Sequence, residues 1–500
     1  MSLATTFSRA LVGVDAPLVT VETHISNGLP CLNIVGLPET AVKESKERVR
    51  SAIINSNLEF PTRRITINLA PADLPKVGGR YDLAIALSIL AAAGQLPADA
   101  LMQYEFLGEL ALGGELRGVL GVLPAAIQTR TTQRVLIIPS ANGAEASMVS
   151  QCTVHHAAGL TAIFDMLVNG SKLGRCSSGT FTRISGGTSN SIELSSVRGQ
   201  LLPKRALQIA AAGGHNILFK GPPGTGKTML ASTLPGILPA LEEAEALELA
   251  AIRSVASQQI DLSNFAVRPF RSPHHTATAA AMVGGGIRGC PGEVSLAHKG
   301  VLFLDELPEF NRKVLEVLRE PMESGVITLS RANYRIQFPA NFQLVAAMNP
   351  CPCGYYGDPS GRCNCTTERI ESYLHKISGP LLDRIDMVVN VPRLSHAEMC
   401  GPAPDSPGSN QVRKKIAACN RIQLARNSKQ NCNLTSREIE KFCCLDKAGN
   451  KILSKAMERL QFSARGYHRT LKLARTIADF ESRNSIAEQD LLEAISYRLS

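Results

Sequence analysis

No apolar stretch in this 500-residue chain is long enough to cross a bilayer, so no membrane partner is expected. No charged segment leading into an apolar one opens it. Asp15 and Glu22 interrupt the early apolar pattern, which removes the expectation of a secretory leader. No period of solenoid length recurs. A disulfide framework is not expected either: the thirteen cysteines are odd in number and scattered, which fits a reducing cytoplasm with one local metal cluster. Charged residues make up only 19%, yet 44% of the chain is apolar, enough for globular burial and too much for wholesale disorder. Acidic residues are in deficit, 43 against 53 Lys and Arg, for a net charge of +10. That balance favours a polyanionic partner such as nucleic acid, although charge alone is a weak pointer.

A chain of this length is expected to hold two to four domains. Residues 1–168 mix apolar strands (Leu18–Thr23, Arg64–Leu69, Val135–Pro139) with a buried helix over Leu83–Ala93, the pattern of an α/β or α+β domain. Residues 169–192, rich in Gly, Ser, Thr and Asn, read as a flexible linker. Residues 193–393 alternate strands near 216–219, 301–304 and 343–347 with helical patterns, as an α/β core does. Residues 394–411 hold a second break rich in Pro and Gly, and 412–500 are helical throughout. The fold class expected is therefore α/β, multidomain.

The strongest motif is Gly221-Pro222-Pro223-Gly224-Thr225-Gly226-Lys227-Thr228, between the apolar run Asn216–Phe219 and a helical pattern. Strand, glycine loop, helix is the context of a phosphate-binding loop: backbone N–H groups turn inward and the helix N-terminus adds positive potential. Lys227 is expected on the β- and γ-phosphates of ATP and Thr228 on Mg2+. Downstream, the strand Val301–Leu304 ends in Asp305, suited to organise the Mg2+ shell, and Glu306, suited to polarise the attacking water. The strand Leu344–Met348 ends in Asn349, an amide for the γ-phosphate or the lytic water.

Gly379-Pro380-Leu381-Leu382-Asp383-Arg384 resembles the corresponding motif of the AAA+ ATPases, specifically the magnesium-chelatase-like group. The resemblance implies that Arg384 enters the neighbouring subunit's site, an internal pair with Asp386 being the alternative. It also implies that an arginine of Ser463–Arg469 reaches from a helical lid back to the nucleotide, Arg465 by register and Arg469 as second choice. Val197 and its segment Arg198-Gly199-Gln200 fall where the family has its adenine-side contacts, and Met229 completes the nucleotide set. Phe270–Thr276, Val283–Gly286, Pro291–His298 and Phe303–Phe310 are similar to the ComM (YifB) family of bacteria, over essentially the whole chain. Such a resemblance implies a ring-forming, DNA-dependent ATPase. It would be a hexamer promoting branch migration on single-stranded, duplex or branched DNA during natural transformation.

The first 168 residues are similar to the Lon protease catalytic fold, but Pro75–Asp82 carries Arg80 where that family's serine falls, and no lysine follows at Gly108–Leu123. The domain is expected to be a non-catalytic scaffold, with Lys76 and Arg80 as exposed-loop cations that either line a DNA channel or are ordinary surface charges. Further DNA contacts are expected from Arg271, His274, His275 and Arg288, and from a hairpin over Gly325–Ile336 turning at Ser330–Asn333. Cys351, Cys353, Cys363 and Cys365 form two Cys-x-Cys pairs that can close a structural Zn2+ shell, with reduced surface thiols as the alternative. Two other functions remain open: a metal-chelatase-type subunit remodelling a protein partner, and an ATP-dependent peptidase.

Overall fold

The computed structural model describes residues 3–36, 40–176, 192–258, 265–286, 289–330, 335–357, 361–395, 407–460 and 463–498. Arg288, the expected hairpin tip at 331–333 and most of both expected linkers lie outside them. No helix among the described residues is long and apolar enough to cross a membrane.

The N-terminal part builds two sheets around one buried helix. Alternation along Leu18–Ser26 and Arg64–Ala70 sends Val19, Val21 and Ile25, and Ile65, Ile67 and Leu69, to one face. These strands pair antiparallel at the centre of a four-stranded sheet. Leu3–Arg9 pairs antiparallel at one edge and Cys31–Val35 parallel at the other. The Asp82–Ala92 helix is apolar on every side and buried throughout, as such a helix must be. It fills the space between this sheet and a second one, ordered Gly174–Arg175, Val154–Ala157, Val135–Pro139, Tyr104–Phe106.

Lys76 and Arg80 are not the loop cations the sequence suggested. Lys76 is fully buried and donates to the Pro71 carbonyl. Arg80, in the turn Gly79–Tyr81, is 5% exposed, and its Nε and Nη2 find no hydrogen-bond partner among the described residues. The segment is drawn inward because Gly79 lies against Glu109, where a Cβ would come within 2.6 Å, and Arg80 O accepts from Gly108 N.

The part that carries the glycine loop is built on five parallel strands in the order Phe270–Arg271, Val301–Leu304, Gln343–Met348, Ile217–Lys220, Met387–Asn390. Parallel strands are covered on both faces, which is why Ile217–Phe219 and Val301–Leu304 read as unbroken apolar runs. The first strand in sequence lies between the fourth and fifth. Strand order thus switches direction beside it, the position where such sheets bind ligands at their carboxyl ends. Helices Ser409–Asn427, Ala464–Phe480 and Glu488–Ser496 share one core with the sheet and with the Leu201–Gly213 helix.

A third core joins the N-terminal part to the five-stranded part. Val122, Leu123 and Ala126 of the Val122–Thr132 helix meet Leu247, Ala250 and Ala251 of the Glu243–Val255 helix. Ser254 donates to Glu145, and Ser150 to Glu243 at 2.8 Å. The expected hairpin forms from Val326–Ser330 and Arg335–Pro339. Its base is clamped: Ile336 and Phe338 pack with Val255 and with Leu11 and Val14 of the N-terminal part.

Candidate nucleotide site

The phosphate loop leaves the sheet after Lys220 and turns into the Lys227–Ile237 helix. Gly224 (φ +75°) and Gly226 (φ +86°) adopt left-handed backbone, and nothing lies within 4 Å of where their side chains would be. The loop therefore presents bare backbone to an open concavity, the form a triphosphate requires. Lys227 Nζ donates to Gly221 O (2.7 Å), Pro222 O (2.9 Å) and Asn349 Oδ1 (3.0 Å). Burial pulls its ammonium below the usual lysine value, opposed by Asp305 and Glu306. Thr228 Oγ1 donates to Asp305 Oδ2 at 2.7 Å. A hydroxyl and a carboxylate held together are the hard oxygen donors that suit Mg2+. The residues present thus fit both ATP and its metal ion.

Glu306 is a non-glycine residue at φ +53°, a sparsely populated conformation that aims its half-exposed carboxylate at the sheet's carboxyl edge. Its side chain lies 3.5 Å from His275 Nδ1, a partner that sequence reasoning had placed only on a DNA-contacting insert. On the other flank, Gln200 Nε2 reaches Pro392 O (2.7 Å) and Thr225 O (3.4 Å), tying the Val197–Gln200 segment to the loop. Val197 is a core residue, whereas Met229 is 45% exposed on the first helical turn.

Arg384 does not pair with Asp386. Its guanidinium is buried, donating to Pro380 O at 2.6 Å and to Glu323, with Nε unpartnered among the described residues. Asp386 instead lies 3.4 Å from His215 Nδ1 and 3.7 Å from Arg469 Nε. Burial opposes the Asp386 charge, but His215 and Arg469 outweigh it and hold the carboxyl below its usual value. Arg465 is exposed and lies within electrostatic range of Arg469, as do Arg384 and Arg498. The sheet's direction decides what these arginines can reach. Met387 aligns with Ile217 and Asn390 with Lys220, so the arginine cluster sits where strands begin and the phosphate loop where they end. Four residues of strand, about 10 Å, separate the two ends. The expected reach of Arg465 back to its own chain's nucleotide is therefore not what the fold provides.

Cys351, Cys353, Cys363 and Cys365 do converge, with all four sulfurs within 4.8 Å of one another. Cys351 Sγ lies 3.3 Å from Cys353 and 3.8 Å from Cys363, and Cys353 lies 3.6 Å from Cys363. Tetrahedral Zn2+ with thiolates at about 2.3 Å places sulfurs about 3.8 Å apart, so the donor set fits. The Tyr355 backbone and the Cys351 thiol draw the Cys353 thiol down to about 6, in the thiolate range. Of the expected DNA contacts, Arg271 is engaged within the chain by a bidentate pair with Glu293, both bonds 2.7 Å, and His274 bonds Thr276.

Three family descriptions match this chain: "Magnesium chelatase, subunit ChlI" over residues 193–399, "Subunit ChlI of Mg-chelatase" over 21–142, and "Magnesium chelatase, subunit ChlI C-terminal" over 406–498. Competence protein ComM of Haemophilus influenzae is 50% identical over 502 residues, spanning 100% of this chain and 98% of its own. The YifB proteins of Salmonella typhimurium and Escherichia coli are 49% and 48% identical, each spanning 100% of this chain and 97% of its own.

Proposed function

Because this chain belongs to the magnesium-chelatase-like family of AAA+ ATPases, in the group of ComM and YifB, we propose that it is an ATP-driven, ring-forming DNA motor acting in branch migration during natural transformation. The observation that carries the reading is the placement of Arg384, Arg465 and Arg469 at the sheet end opposite the phosphate loop. A basic cluster there has no triphosphate of its own to serve. It completes a site only when a neighbouring subunit presents one, and head-to-tail repetition of that contact closes a ring, here a hexamer.

Within such a site the backbone of Gly224–Gly226 and Lys227 hold the β- and γ-phosphates. Thr228 and Asp305 hold Mg2+, which when bound neutralises charge on the phosphate oxygens. Glu306 polarises the attacking water and Asn349 orients it against the γ-phosphate. The neighbour's Arg384 neutralises the charge that spreads over the equatorial oxygens, a contribution worth about 10³-fold or more in turnover. Zn2+ on the four cysteines is structural, since a four-thiolate shell leaves no open position. The N-terminal part is a non-catalytic scaffold of Lon-protease-like fold; the buried Arg80 presents no nucleophile and leaves the peptidase reading without chemistry. DNA as the polyanion accords with the net charge of +10 and with the name of the competence relative.

The family descriptions also favour a second reading, a chelatase-type subunit that remodels a protein partner. ATP turnover measured with no DNA, single strands, duplex and a four-way junction separates the two. A motor is stimulated by DNA, most by the junction, and Lys227→Ala abolishes turnover. Turnover indifferent to every DNA form removes the motor reading.

A further inference from the structure

The cysteine cluster touches the nucleotide site on two sides. The strand Gln343–Met348 delivers Asn349, which accepts from Lys227, and two residues later the buried Cys351. The chain then turns at Gly354 (φ +85°), whose N–H donates to Cys351 O at 2.9 Å. A Cβ at Gly354 would stand 2.6 Å from Pro223 Cδ and 3.8 Å from Asn349 Cγ. The turn joining the two cysteine pairs therefore rests directly on the phosphate loop. Next, the Tyr355 ring lies 5.1 Å from the Arg393 guanidinium and 5.9 Å from that of Arg362. Arg393 follows Pro392, whose carbonyl accepts from the same Gln200 amide that reaches Thr225. Cys363 and Cys365 close the loop back onto Cys351 and Cys353.

We infer that metal occupancy of Cys351, Cys353, Cys363 and Cys365 and nucleotide binding at the phosphate loop are thermodynamically linked: a thiophilic divalent cation, Zn2+ by donor set, tightens ATP binding, and ATP tightens the cation by the same factor. The inference rests on the ATP and zinc assignments proposed above. Binding proceeds as M2+ plus four cysteine side chains giving M(S–Cys)4 with net charge −2, each thiol that is still protonated releasing its proton. Arg362 and Arg393 both lie against the Tyr355 ring, two residues along the chain from Cys353. With the cation bound, the turn at Gly354 is fixed by both of its cysteine pairs, and Pro223 and Asn349 meet a rigid surface. Without it, four thiols exert no comparable constraint, and nucleotide binding must also order the loop. A coupling of this kind is reciprocal by necessity, whichever ligand is added first.

The test uses the full chain with Zn2+ and a non-hydrolysable fluorescent ATP analogue. Analogue affinity is measured on zinc-loaded and chelator-stripped protein. Zinc affinity is measured by competition with a chromophoric chelator, with and without analogue, which needs no variant. Loaded protein is expected to bind the analogue about tenfold more tightly, and the analogue to tighten zinc binding about tenfold. Gly354→Ala keeps all four ligands and is expected to retain zinc while losing the difference. Equal analogue affinity together with unchanged zinc affinity overturns the linkage and leaves both site assignments standing. Protein that retains no stoichiometric zinc overturns the zinc assignment, and loaded protein that binds no analogue overturns the ATP assignment; either result takes the linkage with it.

Discussion

Arg80 is a guanidinium removed from water with incomplete replacement. Burial disfavours its charge, Tyr81 and Glu145 only partly oppose this, and two of its nitrogens lack partners among the described residues. Glu145 is already engaged by Leu123 N, Asn142 and Ser254. Buried charges in this state are often replaced by apolar side chains of similar volume with no loss, or with a gain of about 1–4 kcal/mol. Arg80→Met is therefore expected to leave the thermal midpoint of the full chain unchanged or raised, read by calorimetry. A drop matching a broken buried pair, about 3 kcal/mol, would mean that the cation has a partner in function. The sequence misplaced Arg80 because a Pro- and Gly-rich segment between strand and helix ordinarily lies outside. What draws it in is Glu109, about thirty positions away. The convergence of Lys227, Asp305 and Asn349 was legible for the opposite reason: Asp305 and Asn349 each directly follow an apolar strand of a parallel sheet, Lys227 closes the glycine loop that leaves a third, and such strands end on one edge. Glu323, which holds Arg384, and His275, which meets Glu306, lie on other elements and carried no local signal.

Among the elements, the hairpin of Val326–Ser330 and Arg335–Pro339 is held by a part of the chain distant in sequence. Its alternation was readable because one face is buried and one is not, and the register places Ile327 opposite Phe338. Its clamp was not readable, because Leu11 and Val14 belong to another part of the chain. Gly13 (φ +63°) comes so close that a Cβ would lie 2.8 Å from both Gln337 O and Ile336 Cγ2. Gly13→Val adds a β-branched side chain at a left-handed position and overfills the contact, at a cost of about 2 kcal/mol or more. The expected outcome is faster hydrogen exchange at 326–330 and 335–339, with exchange in the strand Val301–Leu304 unchanged. Slow exchange throughout would place the hairpin's stability in the ATPase part alone. Strand limits such as Val135–Pro139 and Val301–Leu304 were legible from apolar runs. Leu3–Arg9 was not, since its three polar uncharged residues, Thr5, Thr6 and Ser8, mask the pattern, although Thr6 and Ser8 are buried.

At the scale of the whole molecule, the direction of one sheet sets what a single chain can do. Lid sequence alone places Arg465 above its own nucleotide, because nothing local says at which end of the sheet the Ala464–Phe480 helix begins. The strand register says it: Arg469 stands beside Asp386, one residue before Met387, which aligns with Ile217 at the entry of the phosphate-loop strand. If the arginines serve a neighbour, loss of the phosphate loop and loss of Arg384 are defects of different subunits and must complement. Lys227→Ala protein alone and Arg384→Ala protein alone are each expected to hydrolyse little ATP. Mixed in equal amounts and assembled on DNA, they form some interfaces with an intact loop from one subunit and an intact arginine from the other. Random head-to-tail mixing makes that pairing about one interface in four, so turnover should recover towards about a quarter of the wild-type rate. The recovered rate should peak at equal proportions and fall on either side. A service within one chain predicts the reverse: every chain in the mixture then carries one fatal defect, and turnover stays at the level of the two variants at every ratio, even where labelled subunits are seen to exchange.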